Sequence, residues 1–469
     1  MTESAATFDR SSRSAKQLFT VSLVAHGILL ACALRHRFFW GGDMAPYLHL
    51  AETAGLVAFA VVGGLAYVRA LRRAPELPAQ TWLRFGLLLT ALATLSPHFL
   101  SNDLWDYLAR GRVAVLGHDP YLTTVAALRS DPAMSEFAAR ANWPGWVMPY
   151  GPVAAVLQWL CAVPDSPWLG AYLWKGLAAA AHVATALSLA ATTRSLSNEA
   201  NARRMLVLWL WNPWLLLESA GSGHNDAFVA LGLAACGHAI AQARFAVGSL
   251  AYGVAMLVKH GSPTLAPLLL AAAFRQRRLV PFAIGTGLVA TILAVAWLLS
   301  WSAPSGLDWI TDQANVAQGS LSSLLAAHVG SGAGVAATWI GTGLLVALLV
   351  HGAIALRDAR SFGRHGALAT IVLVLFCVPN FAPWYHLWWL PLVAVADARA
   401  LDRALVVLAF TGPVSYAVFT ATHAFGQAHE AWAWAAAALP PAAIVLGSAR
   451  ELLSNRCGPS DSAATPAPS

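Results

Sequence analysis

Charge is what this sequence has least of. Only 11% of its 469 residues are Asp, Glu, Lys or Arg, whereas 58% are hydrophobic, and mean hydropathy is +0.59. A soluble domain carries about a quarter charged residues, so a globule of this length would lack the polar groups to cover its surface. A bilayer removes that requirement because lipid solvates apolar side chains. Cysteine is scarce too: five residues, scattered without C-x-x-C spacing and mostly inside apolar stretches. They read as small packing residues rather than a disulfide or metal framework. No Walker A loop is present, which excludes nucleotide-driven transport by this chain alone, and His429-Glu430 lacks the second His of an H-E-x-x-H site. No inverted internal repeat of the kind many transporters carry is visible.

What the chain does have is a succession of apolar segments near the length of a membrane-crossing helix, roughly 20 residues. They run near 17–35, 50–70, 82–100, 167–191, 205–218, 225–243, 245–258, 263–274, 280–300, 335–356, 366–379, 386–398, 404–422 and 431–448. The expected fold is all-α, a polytopic transmembrane bundle of about 12–14 helices, as one membrane domain (16–453) between polar tails at 1–15 and 454–469. Basic residues outnumber acidic ones, 29 to 22. They gather in short loops, at Arg69/Arg72/Arg73, Arg203/Arg204, Arg275/Arg277/Arg278, Arg357/Arg360/Arg364 and Arg399/Arg403. That placement marks cytoplasmic loops beside anionic lipid and gives no sign of a nucleic-acid partner. With those loops inside, both termini are cytoplasmic and Arg35 and Arg37 are the exception. The segment Tyr150–Val163 is left over as a partial helix on the outer face.

Polar residues inside or beside membrane segments are costly and mark function. They concentrate in four places, all expected at the outer side of the plasma membrane. The loop 96–152 begins SPHFLSNDLWDYLARGRVAVLGHDPY and ends NWPGWVMPYGP. A short helix starting at Asp103 puts Asp106 and Tyr107 one turn on, and the interleaved aromatic and aliphatic residues predict a helix lying along the membrane surface. The second place is ESAGSGHNDAF, from Glu218 to Phe228. Helix capping accounts for Asn225 or Asp226, but not for the clustering of Glu218, His224, Asn225 and Asp226. The third is Lys259-His260-Gly261-Ser262-Pro263, where a cation stands at a helix break, a device suited to an anionic ligand such as phosphate. The fourth is NFAPWYHLWW, which gathers Trp384, Tyr385, His386, Trp388 and Trp389 at one helix end. Asp308, Asp312, Gln313, Asn315 and Gln318 add polar groups without a recognisable pattern.

At these residues the sequence resembles the polyprenyl-phosphate-mannose-dependent α-1,6-mannosyltransferases of the GT-C superfamily. Their first outer loop reads S-[DN]-D-x-Y-x-Y-x-x-x-G-R, then G-x-[ND]-P-Y and Y-[GP]-P. Ser101, Asp103, Tyr107, Gly111, Arg112, Gly117, Pro120, Tyr121 and Tyr150-Gly151-Pro152 match, while Trp105 replaces the first Tyr. GSGHNDAF, LVKHGSP and PWYHLWWLP follow in the family's order. The resemblance implies a GT-C-like membrane enzyme with a helical, catalytic first outer loop. It would move a hexose, by resemblance mannose, from a polyprenyl-phosphate donor to a glycan or glycolipid acceptor, with inversion. It further implies Asp103 as general base and Arg112 and Lys259 as phosphate-binding cations. Asp106, Tyr107, Tyr121, Tyr150, His224, Asn225, Asp226, Trp384, Tyr385 and His386 would line the sugar site. Asp106 is a second possible base. Many members have two acids where this chain has Asn102-Asp103, and no metal or cofactor is expected. A transporter or flippase of a lipid-linked sugar is the rival reading; it would need acids deep within helices.

Overall fold

The computed structural model describes residues 2–39, 46–97, 101–259, 263–298, 320–378, 381–396, 398–424 and 430–448. The loop acids Asp308 and Asp312, with Gln313, Asn315 and Gln318, lie outside the described residues, as do His260, Gly261, Ser262, Asn380 and the 454–469 tail. Within them the chain is helical and contains no strand, the all-α bundle that the composition implies. The first half runs α1 (Thr2–Phe39), α2 (Pro46–Arg73), α3 (Ala79–Leu95), α4 (Asp103–Val115), α5 (Pro132–Ala138), α6 (Pro152–Ala162), α7 (Pro167–Leu196), α8 (Glu199–Leu210), α9 (Pro213–Leu216) and α10 (Asp226–Ala241). It continues through α11 (Phe245–Val258), α12 (Ala266–Arg275), α13 (Leu279–Leu298), α14 (Leu321–His328), α15 (Ser331–Ala355), α16 (Ala359–Val372), α17 (Leu390–Ala396), α18 (Ala398–Ala424) and α19 (Glu430–Gly447). α1 begins inside the segment expected to be a tail.

Among the described residues, six helices are long and apolar enough to cross a bilayer: Lys16–Leu34, Leu50–Glu76, Pro167–Leu196, Leu279–Ala296, Ser331–Ala355 and Arg399–Ala421. The apolar side chains of α13 and α15 point outward, with Val280 72%, Ile284 57%, Trp339 72% and Ile340 68% exposed. Two such helices are stable only against lipid. Other apolar segments are broken. The stretch 205–218 is three pieces, because Asn212 caps α9 through the amides of Trp214 and Leu215 and Pro213 cannot donate the helical hydrogen bond that would join α8 to α9. A π-helical turn, Leu217–Gly221, follows; such turns often mark functional positions. α6 has 11 residues, about 16 Å at the α-helical rise, roughly half the hydrocarbon thickness.

The packing that places the site is local to one end of the bundle. α4 lies on α6 and α7, α10 lies between α7 and α11, and the 3₁₀ turn Pro383–Trp388 sits on α10. α4 is buried continuously from Leu104 to Val113. Its apolar side is covered by α5, α6 and α7, with Leu104, Tyr107, Leu108, Phe137, Cys161 and Trp174 in one cluster. α4 approaches α6 closely because position 111 is Gly: a Cβ there would meet the Gln158 carbonyl oxygen at 2.2 Å.

Candidate active site

α4 starts at Asp103, as the spacing predicts, and its first turn carries Asp103 and Asp106, where the helix dipole favours negative charge. Four further segments reach the same place. The Tyr150-Gly151-Pro152 turn docks on the end of α11, where the Gly151 amide donates to the Val258 carbonyl at 3.1 Å. A Cβ on Gly151 would stand 2.2 Å from the Leu257 carbonyl oxygen, so only glycine allows the approach that brings Tyr150 beside Lys259. Gly151→Ala is therefore expected to destabilise the protein by about 1–3 kcal/mol, the usual cost of overpacking. The check is the thermal unfolding midpoint of the purified variant in detergent; an unchanged midpoint would show that the turn can shift freely.

Three basic groups then pair with three buried acids. Lys259 Nζ donates to Asp226 at 3.1 and 3.0 Å, and the Trp388 indole N–H donates to the same carboxylate at 2.5 Å. Asn225, which precedes α10, makes no side-chain cap, so capping does not account for the His-Asn-Asp cluster. His224 Nε2 lies 3.2 Å from Glu218, and its ring stacks on Trp384 at 3.9 Å. Arg110 Nη1 stands 3.7 Å from Asp106. The side chains of Asp106, Glu218 and Asp226 are 0–2% exposed. The fourth acid differs. Asp103 shares His224, 3.7 Å from Nδ1, and keeps 24% of its side chain accessible. No hydrogen bond reaches its carboxylate among the described residues. Burial is the main cause that raises the Asp103 pKa to about 7; Asp106 and Asp226 push it the same way, against Lys259 and Arg110.

Aromatic rings wall the cluster. Lys259 Nζ lies 4.9 Å from the Tyr385 ring centre, 5.6 Å from that of Trp388 and 5.9 Å from that of Tyr150, an arrangement that favours a cation through the ring quadrupoles. Tyr385 and Trp388 stack on each other at 4.3 Å. Tyr107, fully buried, donates its hydroxyl to Asn225 Oδ1 at 3.4 Å and packs edge-on against Tyr150. Asn225 Nδ2 is buried without a hydrogen-bond partner among the described residues. No group of three or more His, Cys, Asp or Glu side chains is arranged to hold a metal ion among those residues.

Asp103, Tyr107, Tyr150, His224, Asn225, Asp226, Lys259, Trp384 and Tyr385 thus come together. Other expected site residues lie elsewhere or are committed. The Arg112 guanidinium donates to Asp165 at 2.6 Å and to the carbonyls of Ala133, Ala162 and Val163, tying α4 to the ends of α5 and α6. These partners lie away from the cluster, because nine residues beyond Asp103 is the opposite face of the helix. The Asp165 side chain is 94% exposed, so that ion pair is screened and the carbonyls are what Arg112 serves. Arg112→Gln is expected to cost about 1–3 kcal/mol through unsatisfied buried carbonyls and to leave substrate KM unchanged; a donor titration with the variant checks the second half. Asp106 accepts from the amides of Asn142 and Trp143, at 3.3 and 3.0 Å. Burial raises its pKa even against Arg110 and those amides, and through those two hydrogen bonds it pins the loop. Tyr121 packs with Met148, Ala155 and Tyr150. His386 turns toward Phe381 and Trp389. Glu218 and Trp388, which stand in the expected clusters without an assigned role, and Arg110 join the same cluster; seven-residue spacing from Asp103 on a helix is the signal available for Arg110.

The fold and this cluster define a polytopic all-α membrane protein with a buried cluster of acidic and basic side chains at one end of its bundle. Residues 18–275 match the family described as alpha-(1->6)-mannopyranosyltransferase, N-terminal domain, and the chain belongs to that family. It is 27% identical over 357 residues to alpha-(1->6)-mannopyranosyltransferase A of Mycobacterium tuberculosis, a match covering 67% of this chain and 64% of that protein. It is 25% identical over 383 residues to a probable alpha-(1->6)-mannopyranosyltransferase of Mycolicibacterium smegmatis, covering 69% of this chain and 66% of that protein. The matched region thus spans just under two thirds of each relative. No solved structure matches.

Proposed function

We propose that this chain is a membrane hexosyltransferase that transfers mannose from a polyprenyl-phosphate carrier to a glycan or glycolipid acceptor, with inversion, at the extracytoplasmic face of the plasma membrane. The observation that supports the reading is exposure: the side chains of Asp106, Glu218 and Asp226 are 0–2% exposed, while Asp103, in the same cluster, keeps 24% of its side chain accessible. The acceptor hydroxyl attacks the anomeric carbon, the bond from that carbon to the phosphate oxygen breaks, and the hydroxyl proton passes to Asp103. Polyprenyl phosphate leaves as an anion, so no acid is needed on the leaving side. His224, held by Glu218 and stacked on Trp384, fixes the far side of Asp103. Asn225 Nδ2 has a donor to give a sugar hydroxyl, and Lys259, kept in place by Asp226 and its ring cage, supplies positive charge where negative charge develops. Tyr150, Trp384 and Tyr385 offer ring faces to the sugar.

The test is transfer by the purified protein in liposomes supplied with radiolabelled polyprenyl-phosphate-mannose and a short α-1,6-linked mannan. Labelled acceptor carrying a new α-linkage from a β-linked donor supports the reading. Absence of transfer across several donors and acceptors, with labelled donor crossing the bilayer, overturns it in favour of a lipid-linked-sugar transporter.

A further inference from the structure

We propose that Arg110, rather than Arg112, is the guanidinium that receives the donor's phosphate, forming the cationic half of the site with Lys259. The inference rests on the polyprenyl-phosphate reading above and assigns a binding group within it.

The first ground is helix geometry. At about 100° per residue, seven steps from Asp103 return within roughly 20° of the same face, while nine steps end about 180° away. Asp103, Tyr107 and Arg110 therefore share one stripe of α4, and Arg112 stands on its back. The contacts agree. Arg112 is spent on Asp165 and three backbone carbonyls. Arg110 acts electrostatically on both Asp103 and Tyr150.

The second ground is unused donor capacity. A guanidinium carries five N–H donors in a rigid fork. The Arg110 side chain is only 3% exposed, yet its ion pair with Asp106 is 3.7 Å long and its one hydrogen bond among the described residues, to the Trp143 carbonyl, is 3.4 Å. Its Nε is buried with no partner among the described residues. A buried guanidinium so loosely held is a costly thing to keep unless an acceptor completes it. A phosphate with two free oxygens fits the fork, because bidentate Arg–phosphate pairing needs two parallel N–H donors. Lys259 contrasts with it: its ammonium is bonded twice by Asp226, so much of its charge is already neutralised. Asp106 is the positioning residue. Fixed by the Asn142 and Trp143 amides, it holds Arg110 on the Asp103 face of α4 at 3.7 Å, too far for a direct hydrogen bond.

The test uses the purified full chain in detergent, with farnesyl phosphate and farnesol as probes that differ only in the phosphate. Wild type is expected to bind farnesyl phosphate well above farnesol. Arg110→Gln is expected to weaken farnesyl phosphate roughly 10- to 100-fold, the loss of charge-assisted hydrogen bonds, and to leave farnesol unchanged. Arg110→Lys keeps the charge and the fold but loses the fork, and is expected to weaken farnesyl phosphate several-fold. Arg112→Gln should bind both probes as wild type does. Unchanged farnesyl phosphate affinity in either Arg110 variant, or a loss confined to Arg112→Gln, overturns the assignment while the donor reading stands. A wild type that cannot tell farnesyl phosphate from farnesol overturns both.

Discussion

Asp103→Asn is expected to lower kcat by about 10²–10⁴-fold, the usual contribution of a general base within hydrogen-bond reach, with the protein still accumulating in the membrane. The substitution keeps shape and volume. It also strands no buried charge, because the nearest basic group to Asp103, His224 at 3.7 Å, lies closer to Glu218, at 3.2 Å. Folding should therefore be spared where chemistry is not. The same residue sets the pH dependence. Burial, reinforced by Asp106 and Asp226, raises its pKa to about 7, and a base works only when deprotonated. Activity should thus fall as pH drops below 7, reaching about a tenth of its plateau one unit lower, and should level off above. The acidic limb belongs to Asp103 and should vanish from the residual rate of the Asn variant. Normal transfer by Asp103→Asn, or a wild-type rate that is flat from pH 5.5 to 8, would sink the assignment.

Why was so much of this site legible before any coordinates, and why not the rest? Asp103, the His224-Asn225-Asp226 run, Lys259 and the Trp384–Tyr385 aromatics stood out because each is chemically anomalous beside apolar helices, and that anomaly is local in sequence. The partnerships among them are not local. His224 meets Glu218 six residues away only because a π turn folds the chain back there, and it meets Asp103 across more than a hundred residues. Asp106 reads from the sequence as a second candidate base, and nothing there tells that the amides of Asn142 and Trp143 will take up its oxygens. Arg112 was a motif match, and a motif records residue order without recording helix face. Burial of α4 was hidden for a related reason: its mixed polar and apolar composition suits a surface helix equally well, until Gly111 lets Gln158 of α6 close over it. The bundle itself was easier, since length and hydropathy alone select membrane-crossing helices, and the errors fall where Pro and Asn break an apolar run.

Lys259→Met is expected to be the most damaging single change to the fold. Asp226 is 0% exposed and takes two hydrogen bonds from the Lys259 ammonium. Removing the lysine strands that carboxylate among Trp388, Tyr385 and Tyr150. Breaking one side of a buried ion pair costs about 3–5 kcal/mol, enough to lower both the accumulated protein and its unfolding midpoint in detergent. The double variant Lys259→Met with Asp226→Asn separates structure from chemistry. Asn removes the stranded charge and still offers an oxygen to the Trp388 indole N–H, so most of the lost stability should return. Transfer should not return, because the positive charge beside the leaving phosphate is gone. A single variant that melts with wild type would mean the pair contributes little to folding. A double variant that regains transfer would remove Lys259 from the chemistry and leave the departing phosphate to Arg110 alone.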